Sequence, residues 1–353
     1  MVSPRILVVR LSAVGDVIRT LPAVKAVKEH YPSSHVAWVV EEPSKTLLES
    51  QPEIDDVILF PRRRWTQGLR SPRQMVKTAG EIWQFIRKLR RQQFDLVLDF
   101  HGIMKSGIIA FLTGSPQRIG FDRRSSKEGN FLFSNIKVRL PGGSMNRYRR
   151  NAFLLKGMGL GTNSLRTDLS IPEEDRDYVD AFVRGLSTPV SRPLIAIHPG
   201  SSAMFPSKRW MAERYAQLAD RLTRELGGTV LFTWGPEELT RVESIRQSMN
   251  ESSLLAPPTA SLTQLGEVFK RCDLFIGGDT GPMQMASMLG TPVIVIYGPT
   301  DPVLYEPLGV HRNVFKKVEC NPCRKRTCSD LRCLRAMDVG DVFDTAREVL
   351  GVT

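Results

Sequence analysis

Short apolar runs rich in β-branched residues alternate along this chain with longer stretches in which apolar residues recur every three or four positions. The first run, 6–10, reads as a buried strand after Pro4. Beyond the loop 11–15, Val17, Ile18, Leu21, Val24 and Val27 keep a helical spacing, which Pro22 either kinks or restarts. Residues 35–40, 57–60 and 95–100 predict three further strands, with a helix over 71–93. The pattern starts again at 193–198, followed by the turn 199–202 and a helix over 207–226 carrying Trp210, Tyr215, Leu218 and Leu222. Gly227 and Gly228 end that helix, and strands follow at 229–234, 274–276 and 293–297. Strands alternating with helices predict parallel sheets covered on both faces, an α/β fold. The restart, and a Pro-containing polar stretch at 187–192, divide the chain into domains 1–187 and 188–353, with the last helix a candidate to pack back on the first.

Composition narrows the class. The chain has 353 residues, of which 41% are apolar and 24% charged, enough for a large core and too apolar for wholesale disorder. No apolar run reaches the roughly 18 residues of a membrane span, and the opening residues lead straight into a strand, so neither a spanning protein nor a secretory leader is expected. Five cysteines are too few for a disulfide scaffold, which makes a reducing cytoplasm the expected compartment. The net charge is +12, unevenly placed. Residues 1–185 hold 30 Lys and Arg against 19 acids, whereas 186–353 hold 19 against 18. A cationic first half predicts an anionic partner: nucleic acid, acidic lipid or a phosphorylated substrate.

Familiar nucleotide and zinc signatures are missing: no G-x-G-x-x-G follows the first strand, and neither a P-loop nor H-E-x-x-H occurs. Four strand-to-helix turns carry polar chemistry instead. In the first, Gly15 permits a tight turn and Asp16 projects a carboxylate, as an N-cap or as a general base. A helix start favours the ionised form, which weakens a base unless burial offsets it. In the second, Ser201 and Ser202 follow a strand and Lys208 follows them, a set that suits phosphate but equally a turn with a surface lysine. In the third, Gly277 to Pro282 enclose Asp279 and Thr280 and offer backbone N–H groups to an anion, or else form a tight turn with a capping Asp. The fourth, 297–302, reads most simply as a rigid turn.

These segments, in this order and spacing, resemble the bacterial ADP-heptose:lipopolysaccharide heptosyltransferases of glycosyltransferase family 9. The likeness runs through "RLSAVGDVIRTLPAV" at 10–24, "DLVLDFHG" at 95–102, "IHPGSS" with "SKRW" at 197–210, "GGDTGPMQMA" at 277–286 and "YGPTDP" at 297–302. The resemblance implies a GT-B fold of two Rossmann-like domains, the first binding an anionic lipid-linked sugar acceptor and the second an ADP-sugar. It matches Asp16 to the family's base, and Ser201, Ser202 and Lys208 to its diphosphate contacts. Glu237 matches an acidic residue at the ribose. Asp279, Thr280 and Gly281 match the motif at the donor's sugar and phosphates. The family usually carries His three residues after the motif glycine; here Gln284 stands there and retains only hydrogen bonding. Arg63, Arg64 and Trp65, with 120–122 and 127–129, look like the enzyme adding the first heptose, whereas the cysteine segment looks like the second-heptose branch.

The mechanism so implied is an inverting transfer. Asp16 takes the acceptor hydroxyl's proton, the oxygen attacks the anomeric carbon opposite ADP, and Lys208 with the serine hydroxyls and the N–H groups near Gly281 opposes charge on the leaving diphosphate. No carboxylate cluster suggests a divalent metal, and no cofactor is expected. Segment 61–91 holds ten Lys and Arg and one acid, Glu81. Arg62, Arg63 and Arg64 there, with Arg123 and Lys127, are the candidate acceptor-binding residues. An anionic inner-membrane surface would attract the same face, so the expected station is peripheral, on its cytoplasmic side. Cys320, Cys323, Cys328 and Cys333 form C-x2-C-x4-C-x4-C, read as free thiols or a facultative disulfide ahead of a metal site, with thiol pKa values lowered by Lys316, Lys317, Arg324, Lys325 and Arg326. The competing readings are a family-9-like transferase with another nucleotide sugar, a non-catalytic sugar-nucleotide binder and a nucleic-acid-binding protein. The last lacks interleaved aromatics and any nucleic-acid motif.

Overall fold

A computed structural model describes residues 3–161, 168–186, 190–323 and 325–352. Its chain divides into two compact units, Met1–Arg166 and Thr167–Thr353.

In the first unit the apolar runs become strands β1 (Arg5–Val9), β2 (His35–Val40), β3 (Asp56–Leu59), β4 (Leu96–Asp99), β5 (Gln117–Phe121) and β6 (Ile136–Val138). All pair parallel, in the order β3-β2-β1-β4-β5-β6. Ile6 to Val9 are inaccessible, as a central strand covered on both faces must be. Pro22 restarts the first helix: Val14–Ile18 ends and Leu21–His30 begins with Pro22 in its first turn.

The second unit repeats the plan. Strands β7 (Leu194–His198), β8 (Thr229–Phe232), β9 (Leu254–Leu255), β10 (Leu274–Gly278), β11 (Val293–Ile296) and β12 (His311–Val314) pair parallel in the order β12-β11-β10-β7-β8-β9. Helix Ala212–Leu226 buries Tyr215, Leu218 and Leu222 against this sheet and stops at Gly227, whose φ of +63° L side chains rarely adopt. In each sheet the order reverses beside the first strand, between β1 and β4 and between β7 and β10. Loops leaving the carboxyl ends of those four strands flank a topological switch point, where open α/β sheets bind ligands.

The division falls earlier than the boundary at 187 read from the sequence. Helix Glu173–Arg184 packs on helix Leu262–Lys270 and so belongs to the second unit. Residues 187–189 of the expected linker lie outside the described residues. The last helix, Val339–Leu350, lodges Val342, Phe343 and Ala346 in the second unit's core.

Candidate active site

Asp16 occupies the loop-to-helix turn after β1. It does not cap: Ala13 is the N-cap residue and makes no side-chain cap bond, while Asp16 sits inside the short helix Val14–Ile18. Its carboxylate is clasped by Arg10, which meets Oδ2, and by Arg19, whose Nη1 lies 3.2 Å from Oδ1. Both arginines are nearly buried, whereas Asp16 keeps 31% of its side chain accessible. Burial by itself would raise its pKa, but the charges of Arg10, Arg19 and Arg147, with His101, outweigh that and hold the carboxyl well below the usual carboxylate range. Asp16 is therefore ionised throughout the physiological range and is partly open to solvent.

The turn after β4 supplies the rest of this site. Asp99 is fully buried. Its Oδ1 accepts from the backbone N–H of His101 (3.0 Å) and Gly102 (3.2 Å), and its Oδ2 from Ser106 Oγ (3.0 Å) and Asn130 Nδ2 (2.6 Å). Burial pushes the Asp99 carboxyl up despite those four donors. The turn so fixed presents His101, whose Nδ1 accepts from Leu11 N–H at 3.3 Å and whose remaining proton is thereby assigned to Nε2. Burial, then the neighbouring Arg10 charge, pushes His101 down to about 3, so it is neutral at pH 7. Arg150 closes the group, donating to Phe100 O (3.4 Å) and Ser125 O (3.2 Å) with its guanidinium 3.7 Å above the Phe121 ring.

The candidate acceptor residues surround the same end of the sheet. Arg62 pairs with Glu41 at 2.8 Å, and Glu41 N–H donates to Leu11 O beside the Asp16 turn. Arg63 is exposed, and Arg64 is paired with Glu81. Lys127 is exposed, and its backbone N–H donates to Gly102 O (2.8 Å). Arg123, in the same loop, lies 6.0 Å from the Phe131 ring.

In the second unit, Lys208 reaches from the turn after β7 to the turn after β10. Its Nζ lies 2.7 Å from Asp279 Oδ2 and 3.2 Å from Asp279 O, joining the two edges of the switch point. Asp279 is almost wholly buried, with 3% of its side chain accessible. Ser201 is buried, donates to Phe205 O and accepts from Arg209 Nε at 3.1 Å; Ser202 is exposed. Thr280 caps helix Gly281–Met288, leaving the N–H of Gly281 at a helix start. Gln284 is fully buried and donates to Tyr305 O at 3.1 Å, which ties the helix to the short helix Pro302–Tyr305 that follows β11.

Glu237 faces solvent. Its neighbour Glu238 turns inward: Oε2 accepts from Gly235 N–H (2.9 Å) and lies 3.4 Å from His198 Nε2. A Cβ on Gly200 would stand 2.2 Å from that carboxylate, so the glycine of the turn is what admits Glu238. Burial lowers the His198 pKa, and Glu238 opposes this only in part. The sequence reading picks Glu237 by its match to the family; the doubled acid at 237–238 is the one sequence signal for Glu238.

His101 and His198 make stability depend on pH. Both are held neutral in the folded chain, below their ordinary value of 6.5. The unfolded chain binds protons there first, so stability falls as pH drops below about 6.5. We expect Tm to decline from pH 7 to pH 4 and His101→Gln to flatten the decline, measured by scanning calorimetry.

All four clustered cysteines are free thiols and line one cavity of about 720 Å³. Cys323 N–H donates to Pro299 O, and Ser207 Oγ donates to Lys325 O, so this segment buttresses the turn that carries Lys208. The thiol pKa of Cys328 is lowered, first by the backbone N–H groups of Leu331 and Asp330 rather than by the lysines; burial raises that of Cys333. Arg324 lies outside the described residues. Among the described residues no three His, Cys, Asp or Glu side chains are disposed to hold a metal ion.

Comparison with known proteins adds a family. The model of glycosyltransferase family 9 (heptosyltransferase) matches residues 82–333. The chain belongs to this family. Lipopolysaccharide core heptosyltransferase OpsX of Haemophilus influenzae is 28% identical over 318 residues, 89% of this chain and 84% of that one. Lipopolysaccharide heptosyltransferase 1 of Pseudomonas aeruginosa is 28% identical over 331 residues, 92% and 87% of the two chains. Among solved structures, Escherichia coli heptosyltransferase WaaC with ADP superposes with a TM-score of 0.76 at 22% identity, over 98% of this chain and 99% of that one. The family's fold is GT-B, and the two parallel sheets with matching strand order are its two Rossmann-like halves.

Proposed function

We propose that this family 9 member transfers a heptose, with inversion, from an ADP-heptose donor to an anionic, lipid-linked inner-core sugar acceptor, and that it does so at the cytoplasmic face of the inner membrane. The observation that carries this reading is Asp16: an accessible carboxylate, held ionised by arginines, at the switch point of the first sheet. The names of the relatives support the sugar and the acceptor class, and the ADP of the E. coli structure supports the nucleotide.

A carboxylate clasped by two arginines is a weak base, because each ion pair stabilises the charge a proton would neutralise. The acceptor relieves this. Its own carboxylates and phosphates compete for Arg10, Arg19 and Arg147, and each guanidinium drawn away raises the basicity of Asp16. The base is thus released when the right anion is bound, and the arginine excess doubles as acceptor recognition. At the donor, Lys208 and the N–H of Gly281 oppose the charge that grows on the departing diphosphate, without a metal. Asp279 orients Lys208 through the 2.7 Å ion pair. Glu238, rather than the exposed Glu237, is placed inward beside Gly200 to accept from ribose hydroxyls.

A second reading keeps the family chemistry but changes the donor sugar. Gln284 favours it, since a neutral, buried amide bonded to Tyr305 O cannot offer the cation the family usually carries there. One experiment serves both: incubation with a panel of ADP-sugars and Kdo-lipid A type acceptors, read by mass spectrometry. Transfer from ADP-heptose alone supports the first reading, transfer from another ADP-sugar the second, and no transfer from any donor refutes both. In the same assay Glu238→Gln should raise KM for the donor about tenfold, the loss of a charge-assisted hydrogen bond, while Glu237→Gln stays near wild type. The reverse pattern would return the role to Glu237.

A further inference from the structure

Helix Met75–Arg91 packs on the first unit through Thr78, Ile82, Phe85 and Leu89. Its opposite side carries Val76, Trp83 and Arg87, spaced seven and four residues apart and therefore on one stripe. That stripe is uncovered: Val76 is 82% exposed and Trp83 59%. Met75 beside it and Leu69 on the preceding helix, Arg62–Arg70, are each about half exposed. Isolated apolar residues at a surface need no explanation, but four on adjoining helices do. Their surroundings are strongly cationic. Arg70, Arg73, Lys77, Arg87, Lys88, Arg90 and Arg91 flank them, and Glu81, the one acid of segment 61–91, is occupied by Arg64 and by Trp65 Nε1 at 3.2 Å. Beside Trp83 lies an open depression of about 670 Å³ lined by Arg5, Arg87, Lys88 and Arg91, with the Arg87 guanidinium 5.1 Å above the Trp83 ring.

We infer that this face docks the enzyme on an anionic phospholipid bilayer. Trp83, Val76, Met75 and Leu69 enter the headgroup–acyl boundary, and the depression takes a lipid phosphate. The combination selects this partner. Exposed aliphatic side chains gain nothing from a sugar phosphate and little from a polar base edge, whereas a bilayer interface rewards apolar burial and cationic flanks together. An indole with a guanidinium over its face suits the headgroup level, apolar on one side and charged on the other. The inference rests on the lipid-acceptor reading only for its biological purpose. Its test contains no acceptor, so failure here leaves the transfer reading standing, and failure of transfer leaves the docking surface standing.

The test sediments the full chain with vesicles of phosphatidylcholine alone, or with about one-third phosphatidylglycerol, at ~0.15 M salt. Binding is expected with the anionic vesicles only, and should weaken as salt rises. The Trp83→Ser/Val76→Asn pair should lower the partition coefficient about tenfold, and Arg87→Gln/Lys88→Gln about twentyfold. All four positions are exposed, so unchanged thermal melting serves as the folding control. Lipids brominated in the upper acyl chain should quench fluorescence in the parent, and Trp83→Phe should abolish that quenching. No binding to the anionic vesicles, binding indifferent to Trp83→Ser/Val76→Asn, or binding to oligonucleotides in place of vesicles would overturn the inference.

Discussion

Asp16→Asn should lower the rate of transfer by ~10²–10⁴, the range of a positioned general base, while ADP affinity measured by calorimetry stays within about twofold. The second half follows because every ADP contact proposed here lies in the other compact unit. Asparagine keeps the size of the side chain but has one accepting oxygen, so it can bond Arg10 or Arg19 and not both as the carboxylate does, and it cannot take a proton. The substitution also removes the counter-charge from a group of arginines, so some loss of Tm is expected. Asp16→Glu separates the two effects: it restores the charge and hence the Tm, yet misplaces the oxygen and recovers only part of the rate. The pH profile gives an independent check. Asp16 is ionised and His101 neutral across pH 5 to 8, so neither should produce an acidic limb in kcat/KM there. Near-normal turnover by Asp16→Asn would remove the base from the mechanism.

Lys208→Ala should be costly in two ways that can be distinguished. Deleting the ammonium strips the leaving diphosphate of its fixed positive charge, which we expect to cost ~10²–10³ in kcat, as for other preorganised donors to developing negative charge. It also leaves the buried Asp279 carboxylate without its 2.7 Å partner, and breaking a buried pair from one side destabilises strongly. The double variant Lys208→Met/Asp279→Asn removes both charges while preserving volume. It should recover most of the Tm that Lys208→Ala loses, with no recovery of transfer. If transfer returned along with stability, Lys208 would be a scaffold for the loop rather than a participant in charge neutralisation.

Much of the fold was legible in the chain. Strands β1, β2, β4, β7, β8, β10 and β11 are apolar and β-branched because they are buried on both faces, and burial on both faces is what makes a run of such residues conspicuous. Strands β5, β6, β9 and β12 went unread. Gln117–Phe121 and His311–Val314 mix polar and apolar residues, while Ile136–Val138 and Leu254–Leu255 are too short for any period. β6, β9 and β12 are also the edges of their sheets, with a neighbour on one side only, so their pairing is decided by the strand beside them. The helix Arg62–Arg70 went unread as well, because its arginines dominate the segment and only Trp65 and Gly68 are buried.

At the candidate active site, the chain by itself singles out Asp16, Lys208 and Asp279 as candidates, since each lies in a glycine- or serine-bearing segment that follows an apolar strand, and such segments gather at the carboxyl edge of a parallel sheet. Tertiary structure alone decided the electrical state of Asp16. Arg10 and Arg19 read as unremarkable positions flanking the first turn, and Arg147 belongs to a segment far along the chain; packing sets Arg10 and Arg19 against one carboxylate, brings the Arg147 charge near it, and fixes it as an anion. The same holds for Glu238 over Glu237, where the chain offered two adjacent acids and the absent side chain of Gly200 decided which could turn inward. Position along a strand–turn–helix unit is a local property and can be read from neighbours in sequence. Charge state and burial are sums over neighbours in space, and exist only once the sheets have formed.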